Sequence, residues 1–164
     1  MKNKNIKIQN TALNYDLTKD WRKLSFSNPS GTIRIGTSFS GIGAIEHAFK
    51  RLKLNTKIVF AGDIDPNCKK AYFANYKIND DQWHTDVHDF DAKKYKGKID
   101  LFVGGAPCQA FSLRGKHGGF EDTRGTLFRE FARIVMECQP KVFIFENVKG
   151  MLSHDKGRTW KVIK

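Results

Sequence analysis

No apolar stretch in this sequence approaches the roughly 20 residues that a membrane-spanning helix needs. The polar, lysine-bearing start from Met1 to Asn10 also lacks the apolar segment of a secretory leader. These absences lead us to expect a cytoplasmic protein without a membrane partner. Cysteine is scarce and unpaired. Cys68, Cys108 and Cys138 form no Cys-x-x-Cys spacing, which argues against a disulfide framework and against a structural zinc site. Acidic residues are outnumbered, 17 Asp and Glu against 29 Lys and Arg, for a formal net charge of +12. A surface of that sign attracts polyanions, although a lysine-rich composition alone also yields a basic chain. Internal repeats and long low-complexity segments are missing too. What is present, 164 residues of which 40% are hydrophobic and 12% aromatic, suffices for one domain with a core.

Residues 1–30 read as an N-terminal extension, loose at its start, packed near Trp21 and ending in the turn-forming run Asn28-Pro29-Ser30-Gly31. From Ile33 onward, short β-type runs alternate with longer helical ones. Strands are expected at Ile33–Phe39, Ile58–Ala61, Ile99–Gly104 and Val142–Phe145. Helices are expected at Ile42–Lys53, with Ile42, Ile45, Phe49 and Leu52 on the apolar face, at Asn67–Tyr76 behind Asp65-Pro66, and at Thr126–Glu137. Gly105 to Arg124 reads as a long polar loop. Such alternation predicts an α/β fold with a doubly wound, mainly parallel sheet covered by helices on both faces. Ligands of these sheets bind beyond the carboxyl ends of the strands.

Directly after the first strand, Phe39-Ser40-Gly41-Ile42-Gly43 forms a glycine-rich turn that opens a helix and lets the backbone approach a ligand. A dinucleotide fingerprint asks for a third glycine where Glu46 stands, which disfavours a nicotinamide oxidoreductase. Asp63, twenty positions beyond Gly43, can accept hydrogen bonds from both hydroxyls of a ribose. Asp86, beside Val87, offers an acceptor to an adenine amino group. A helix cap and a surface loop are the plain alternatives for the two. Together with the glycine turn they describe a nucleoside site. His84 and His88 are four apart but belong to no further ligand pattern, so no metal site is expected.

The strand Ile99–Gly104 runs into Gly105-Ala106-Pro107-Cys108-Gln109, which puts a proline-held cysteine at the ligand edge of the sheet, where a nucleophile is useful. Cys68 and Cys138 fall on expected helices among apolar residues and read as small buried side chains. The next strand ends in Phe145-Glu146-Asn147-Val148. A carboxylate after three apolar residues is expected to be partly desolvated, with a raised pKa that fits it to act as an acid or hydrogen-bond donor.

These motifs, Pro107-Cys108-Gln109 and Glu146-Asn147-Val148 with Phe39 to Gly43 upstream, resemble those of DNA cytosine carbon-5 methyltransferases of the bacterial restriction-modification type. They stand in the family's order over about 110 residues. The segment from Gly105 to Lys116, continuing from Gly119 to Phe128, resembles the family's mobile active-site loop and the helix after it. The resemblance implies a Rossmann-like methyltransferase fold with S-adenosylmethionine as cofactor. Phe39 would meet the adenine, and the turn from Ser40 through Gly41 and Ile42 to Gly43 would run along the methionine side. Asp63 with Ile64 would hold the ribose, Asp86 with Val87 would meet the adenine amino group, and Leu127 would border the cofactor from the next helix. Two departures stand out: Thr37-Ser38 precede Phe39 where the family often has an acidic residue and a leucine, and Ile64 stands where some members have an aromatic.

The same resemblance implies double-stranded DNA as substrate, with the target cytosine flipped out of the duplex. The Cys108 thiolate would add to carbon-6 of the ring, with Pro107 setting its approach. Glu146 would bind or protonate the ring nitrogen, and Asn147 would fix the local backbone. The loop from Gln109 to Arg124 would close over the base, Arg124 reaching the target or its phosphate. Residues 31–164 are accordingly read as a partial catalytic and cofactor-binding domain, incomplete at its C-terminus near a last helix from Arg158. A split enzyme whose second polypeptide supplies target recognition, a truncated gene and a fragment of a longer chain all fit this ending. An inactive remnant or binding subunit, and a related transfer-RNA cytosine-5 methyltransferase, are the alternatives.

Overall fold

In the computed structural model, which describes residues 30–107 and 127–163, five strands form one all-parallel sheet. They are β1 (Ile33–Ser38), β2 (Thr56–Gly62), β3 (Trp83–His84), β4 (Leu101–Gly104) and β5 (Val142–Phe145), in the spatial order β3-β2-β1-β4-β5. The chain builds outward from β1 to β3, then returns to the other side of β1. The order therefore reverses between β1 and β4, and in open parallel sheets a crevice for ligands forms at such a point. Ser38 of β1 stands opposite Gly104 of β4. The segments leaving those two residues are Phe39-Ser40-Gly41 and Gly105-Ala106-Pro107.

Side-chain alternation along β2 divides the core into two layers, because successive strand residues point to opposite faces. Phe60 packs with Phe102, Phe131, Ile134 and Cys138, which brings helix α3 (Leu127–Cys138) onto one face. Ala61 packs with Tyr72 and Trp83, which brings α2 (Pro66–Asn75) onto the other. The doubly wound arrangement expected from the sequence is thus present. Asp65 caps α2 through a 2.8 Å hydrogen bond accepted from the Asn67 amide, with Pro66 at the first helical position. A short turn of helix, α4 (Gly150–Ser153), and a last helix, α5 (Arg158–Ile163), follow β5. Among the described residues no helix is long and apolar enough to cross a membrane.

One helix face departs from expectation. Helix α1 (Ala44–Arg51) starts two residues later than its apolar pattern suggested, and Ile42 and Leu52 are 63% and 56% exposed. Its buried residue is Glu46, with Ile45 and Phe49 half-buried beside it. The glycine turn accounts for the difference: Gly43 in the left-handed region, at φ 90, ends the turn and starts the helix, leaving Ile42 outside.

At the opposite, amino end of the strands, Arg34 makes a forked pair with Asp100, both nitrogens at 2.9 Å, and the Arg34 amide donates to the same carboxylate. Lys141 adds a contact at 2.8 Å. The Arg34 guanidinium, helped by Lys141, holds the Asp100 carboxyl well below the usual carboxylate range against the opposing effect of burial. This cluster joins β1 to the turns that begin β4 and β5. Asp100→Ala is expected to lower stability at pH 7 by roughly 1.5–3 kcal/mol. The native pKa is depressed, so this contribution is present above the unfolded value near about 4 and fades as the pH falls below it. Urea unfolding of both proteins at neutral and acid pH measures the gap, which should close in acid.

Candidate active site

The turn after β1 is held by backbone and side chains together. Phe39 and Gly41 take positive φ values of 57 and 54. Phe39 pays for that conformation with local strain, and its neighbour Ser40 is anchored by a hydrogen bond that its amide donates to the Gly62 carbonyl at 2.9 Å. Gly43 is needed twice over. Its φ suits glycine, and a side chain there would run into the Tyr76 ring, whose hydroxyl donates to the Gly43 carbonyl at 2.7 Å. On the adjacent strand β2, Asp63 follows the last residue, and its Oδ2 accepts the Gly41 amide at 2.9 Å and its Oδ1 the Asp65 amide at 3.0 Å. Each oxygen keeps a second lone pair for a ligand hydroxyl.

A cavity of about 280 Å³ lies at these strand ends. Of the expected cofactor residues it brings together Phe39, Asp63, Ile64, Asp86, Val87 and Leu127, and of the expected catalytic residues Pro107. Ser40, Gly41, Ile42 and Gly43 are not in its wall. Ile42 and Gly43 instead line a separate cavity of about 400 Å³ between α1 and α2, with His47, Lys50 and Asn75. Asp86 Oδ1 accepts both the amide and the ring Nδ1 of His88, at 2.9 and 2.7 Å. These bonds, the backbone one first, lower the Asp86 pKa.

Five further residues, Gly62, His84, Thr85, His88 and Gly105, line the cavity without having been expected there from the sequence. His84 ends β3, a strand of two residues, too short for any periodicity to reveal. It is buried, its Nε2 lies 3.1 Å from Ser38 Oγ, and its ring stacks on Phe90 at 4.1 Å. Burial pushes its pKa down to about 4; the Ala61 backbone opposes the fall, and Arg133 and Lys94 add to it. His84 is therefore neutral at pH 7.

Glu46, the residue that displaced the third glycine, points inward. It is 4% exposed, and its Oε1 accepts from Thr37 Oγ1 at 2.9 Å and from the Tyr72 hydroxyl at 2.7 Å, while Oε2 is buried without a partner. Thr37 also meets Ser40 Oγ at 2.8 Å, and Ser40 Oγ accepts the Gly62 amide at 3.0 Å. Thr37, one of the two departures from the family pattern, thus ties the glycine turn to α1 and α2.

On the other side of the crevice, β4 and β5 deliver Gly105 to Pro107 and Glu146 to Val148. The Glu146 amide donates to the Gly104 carbonyl at 3.0 Å, Asn147 Nδ2 donates to the Ala106 carbonyl at 3.0 Å, and Asn147 Oδ1 accepts the Val148 amide at 2.9 Å. Asn147 thus clamps the segment that leads into Cys108. Cys108, Gln109 and Arg124 lie outside the described residues, as does most of the expected active-site loop. The expected desolvation of Glu146 is not met: the residue is exposed. Its strand is the outermost of the sheet among the described residues, and Val142, Phe143 and Ile144 before it are themselves more than half exposed. Apolar neighbours in sequence bury a carboxylate only when something packs over them.

The remaining cysteines have chemistry unlike that of a nucleophile. Burial pushes the Cys138 thiol up to about 12, and its sulfur donates to the Ala92 carbonyl at 3.4 Å. The Cys68 thiol is raised by burial and by the nearby Asp63 and Asp65.

Comparison with known proteins places this geometry in context. The family model described as C-5 cytosine-specific DNA methylase matches residues 33–164. The orphan methyltransferase M.SPRI of Bacillus phage SPR is 44% identical over 133 residues, 81% of this chain and 30% of that protein. The type II methyltransferase M1.ScrFI of Lactococcus lactis subsp. cremoris is 48% identical over 76% of this chain and 31% of its own length, and M.HpaII of Haemophilus parainfluenzae is 45% identical over 76% and 34%. The chain therefore spans about a third of the length of these relatives. Among solved structures, the Entamoeba histolytica methyltransferase EhMeth superposes with a TM-score of 0.64 at 20% identity, covering 81% of this chain and 42% of that one. The S. pombe Dnmt2 methyltransferase does so with a TM-score of 0.59 at 20% identity, covering 81% and 40%. At that identity the two structures speak for the Rossmann-like fold.

Proposed function

The chain belongs to the C-5 cytosine-specific DNA methylase family, and from that premise we propose that residues 31–164 form the donor-binding, nucleophile-bearing part of an enzyme that methylates cytosine carbon-5 in double-stranded DNA. The observation that carries the proposal is the single cavity that joins Phe39, Asp63 and Asp86 to Pro107, the residue before Cys108. S-adenosylmethionine suits this cavity. Its described lining includes two aspartates, a neutral His84, His88 bonded to Asp86, and no lysine or arginine, in a chain whose net charge is +12. Such a site favours a nucleoside carrying positive charge and repels the pyrophosphate of a dinucleotide. At about 280 Å³ it lies near the lower end of small-molecule pockets, a size for a nucleoside.

When bound, S-adenosylmethionine supplies the methyl group that carbon-5 accepts. Phe39, Ile64, Val87 and Leu127 offer apolar surface to the adenine, Asp86 accepts from its amino group, and Asp63 accepts from the ribose. The protein's own chemistry acts on the base. The Cys108 thiolate forms a bond to carbon-6, moving electron density onto carbon-5, while Glu146 hydrogen-bonds the ring nitrogen and amino group. After carbon-5 is methylated, loss of its proton and breakage of the sulfur–carbon bond restore the ring and the thiolate. Recognition of the DNA sequence is assigned to the part of the relatives that this chain does not cover.

Calorimetry with S-adenosylhomocysteine tests the cavity assignment. Binding is expected for the unmodified chain, and Asp63→Ala should weaken it by about 10- to 100-fold, the worth of one or two hydrogen bonds to a carboxylate. Equal binding of NAD, or an unchanged affinity in Asp63→Ala, would count against the assignment.

A further inference from the structure

We propose that Gly105 is a positioning residue, whose missing side chain leaves the space in which the Glu146 carboxylate stands beside the donor cavity. The inference rests on the functional reading of that cavity and of Glu146 given above. Gly105 follows β4 and is part of the cavity wall together with Pro107. A Cβ built on it would meet Glu146 Oε2 at 2.9 Å, and the next two atoms, at 3.6 and 3.7 Å, are the carbonyl oxygen and Cβ of the same residue. One residue thus touches the cavity and occupies the ground immediately next to the acid.

Backbone conformation does not require the glycine. Gly105 is not among the residues with positive φ, so an alanine can adopt its backbone geometry without strain. Space is the remaining reason, and that space belongs to Glu146. Nor can the two segments easily separate to admit a methyl group. Gly104 pairs with Phe145 in the sheet, the Glu146 amide is bound to the Gly104 carbonyl, and Asn147 holds the Ala106 carbonyl. With both backbones pinned, the part free to give way is the end of the Glu146 side chain. Gly105→Ala therefore displaces the carboxylate while leaving the fold in place. A displacement on the order of 1 Å in a positioned group can cost about 100-fold in rate.

The test uses the chain itself, carrying Gly105→Ala, with Glu146 followed by carbon NMR of its side-chain carboxyl. The expected result is an unchanged melting temperature, S-adenosylhomocysteine affinity within about threefold of the original, and a clear change in the chemical shift of the Glu146 carboxyl. In a methyl-transfer assay with the chain supplied with the remaining length of a relative, kcat should fall about 100-fold with KM for S-adenosylmethionine unchanged. An unaltered Glu146 resonance in Gly105→Ala overturns the proposal. Should Gly105→Ala prove unstable, the pair Gly105→Ala with Glu146→Ala decides. If the collision is with Glu146, the pair is as stable as Glu146→Ala alone; if the pair is as damaged as Gly105→Ala, the glycine serves something else. Glu146→Gln separates this from the broader reading. Full methyl transfer by Glu146→Gln would refute the catalytic role of Glu146, yet the NMR response to Gly105→Ala would still stand.

Discussion

Cys108→Ser lowers methyl transfer to cytosine in DNA by at least about four orders of magnitude, while S-adenosylhomocysteine binding is preserved. Cytosine carbon-5 is a poor nucleophile until a bond at carbon-6 pushes electrons onto it, and a hydroxyl is far less nucleophilic than a thiolate at neutral pH. No other cysteine can substitute. Cys138 has its thiol pushed up to about 12 and hydrogen-bonded to a carbonyl, and the Cys68 thiol is raised by burial and by the nearby Asp63 and Asp65. Transfer of labelled methyl, measured with the chain supplied with the remaining length of a relative, gives the comparison. Serine-bearing protein with more than about a hundredth of the original rate would be incompatible with attack by Cys108.

The second large effect concerns the cavity floor. Stability should fall by about 3 kcal/mol as the pH is lowered from about 6.5 to 4, and His84→Gln should remove this portion of the acid sensitivity. The sign follows from the direction of the shift. His84 has its pKa lowered to about 4 in the folded protein, so between that value and the unfolded one near about 6.5 the unfolded chain binds the extra proton. Stability therefore rises with pH through that window and is lost as pH falls. Burial beneath groups such as the stacked Phe90 is the main cause, and the cations Arg133 and Lys94 add to it by disfavouring a further positive charge. The Asp100 contribution lies lower, below about pH 4, so denaturant melts across the range resolve the two. A His84→Gln protein with the same slope between pH 4 and 6.5 would show that the histidine is not the group titrating.

Strands, helices and their alternation were legible because β1, β2, β4 and β5 carry apolar runs, and because Asp65-Pro66 marks the start of α2 unambiguously. The parallel order and the place of the crevice followed from that alternation. Burial on α1 was not legible in the same way. Periodicity assigned Ile42 and Leu52 to its inner face, whereas a turn ending at Gly43 rotates the helix so that Glu46 faces Thr37 and Tyr72. A charged residue at the centre of a buried face is invisible to an apolar pattern, and only its partners, distant in sequence, explain it. His84 was hidden for another reason: a two-residue strand has no period. Glu146 shows the converse. Its position after three apolar residues suggested shelter, but shelter is a property of what packs over a strand. Asp63, Asp86, Phe39 and Leu127 come together in one cavity because each lies at the end of a strand or the start of a helix, where the fold gathers them.

Mass spectrometry of the chain supplied with the remaining length of a relative and S-adenosylmethionine, incubated with DNA carrying 5-fluorocytosine at the target, tests the central claim most directly. After addition of the thiolate and methylation, carbon-5 holds a fluorine in place of the proton whose loss would expel the sulfur, so the adduct persists. The expected result is a stable protein–DNA species whose linkage maps to the peptide containing Cys108 and which is absent in Cys108→Ala. Methyl transfer to ordinary cytosine without any trapped species, or a linkage at Cys68 or Cys138, would contradict it.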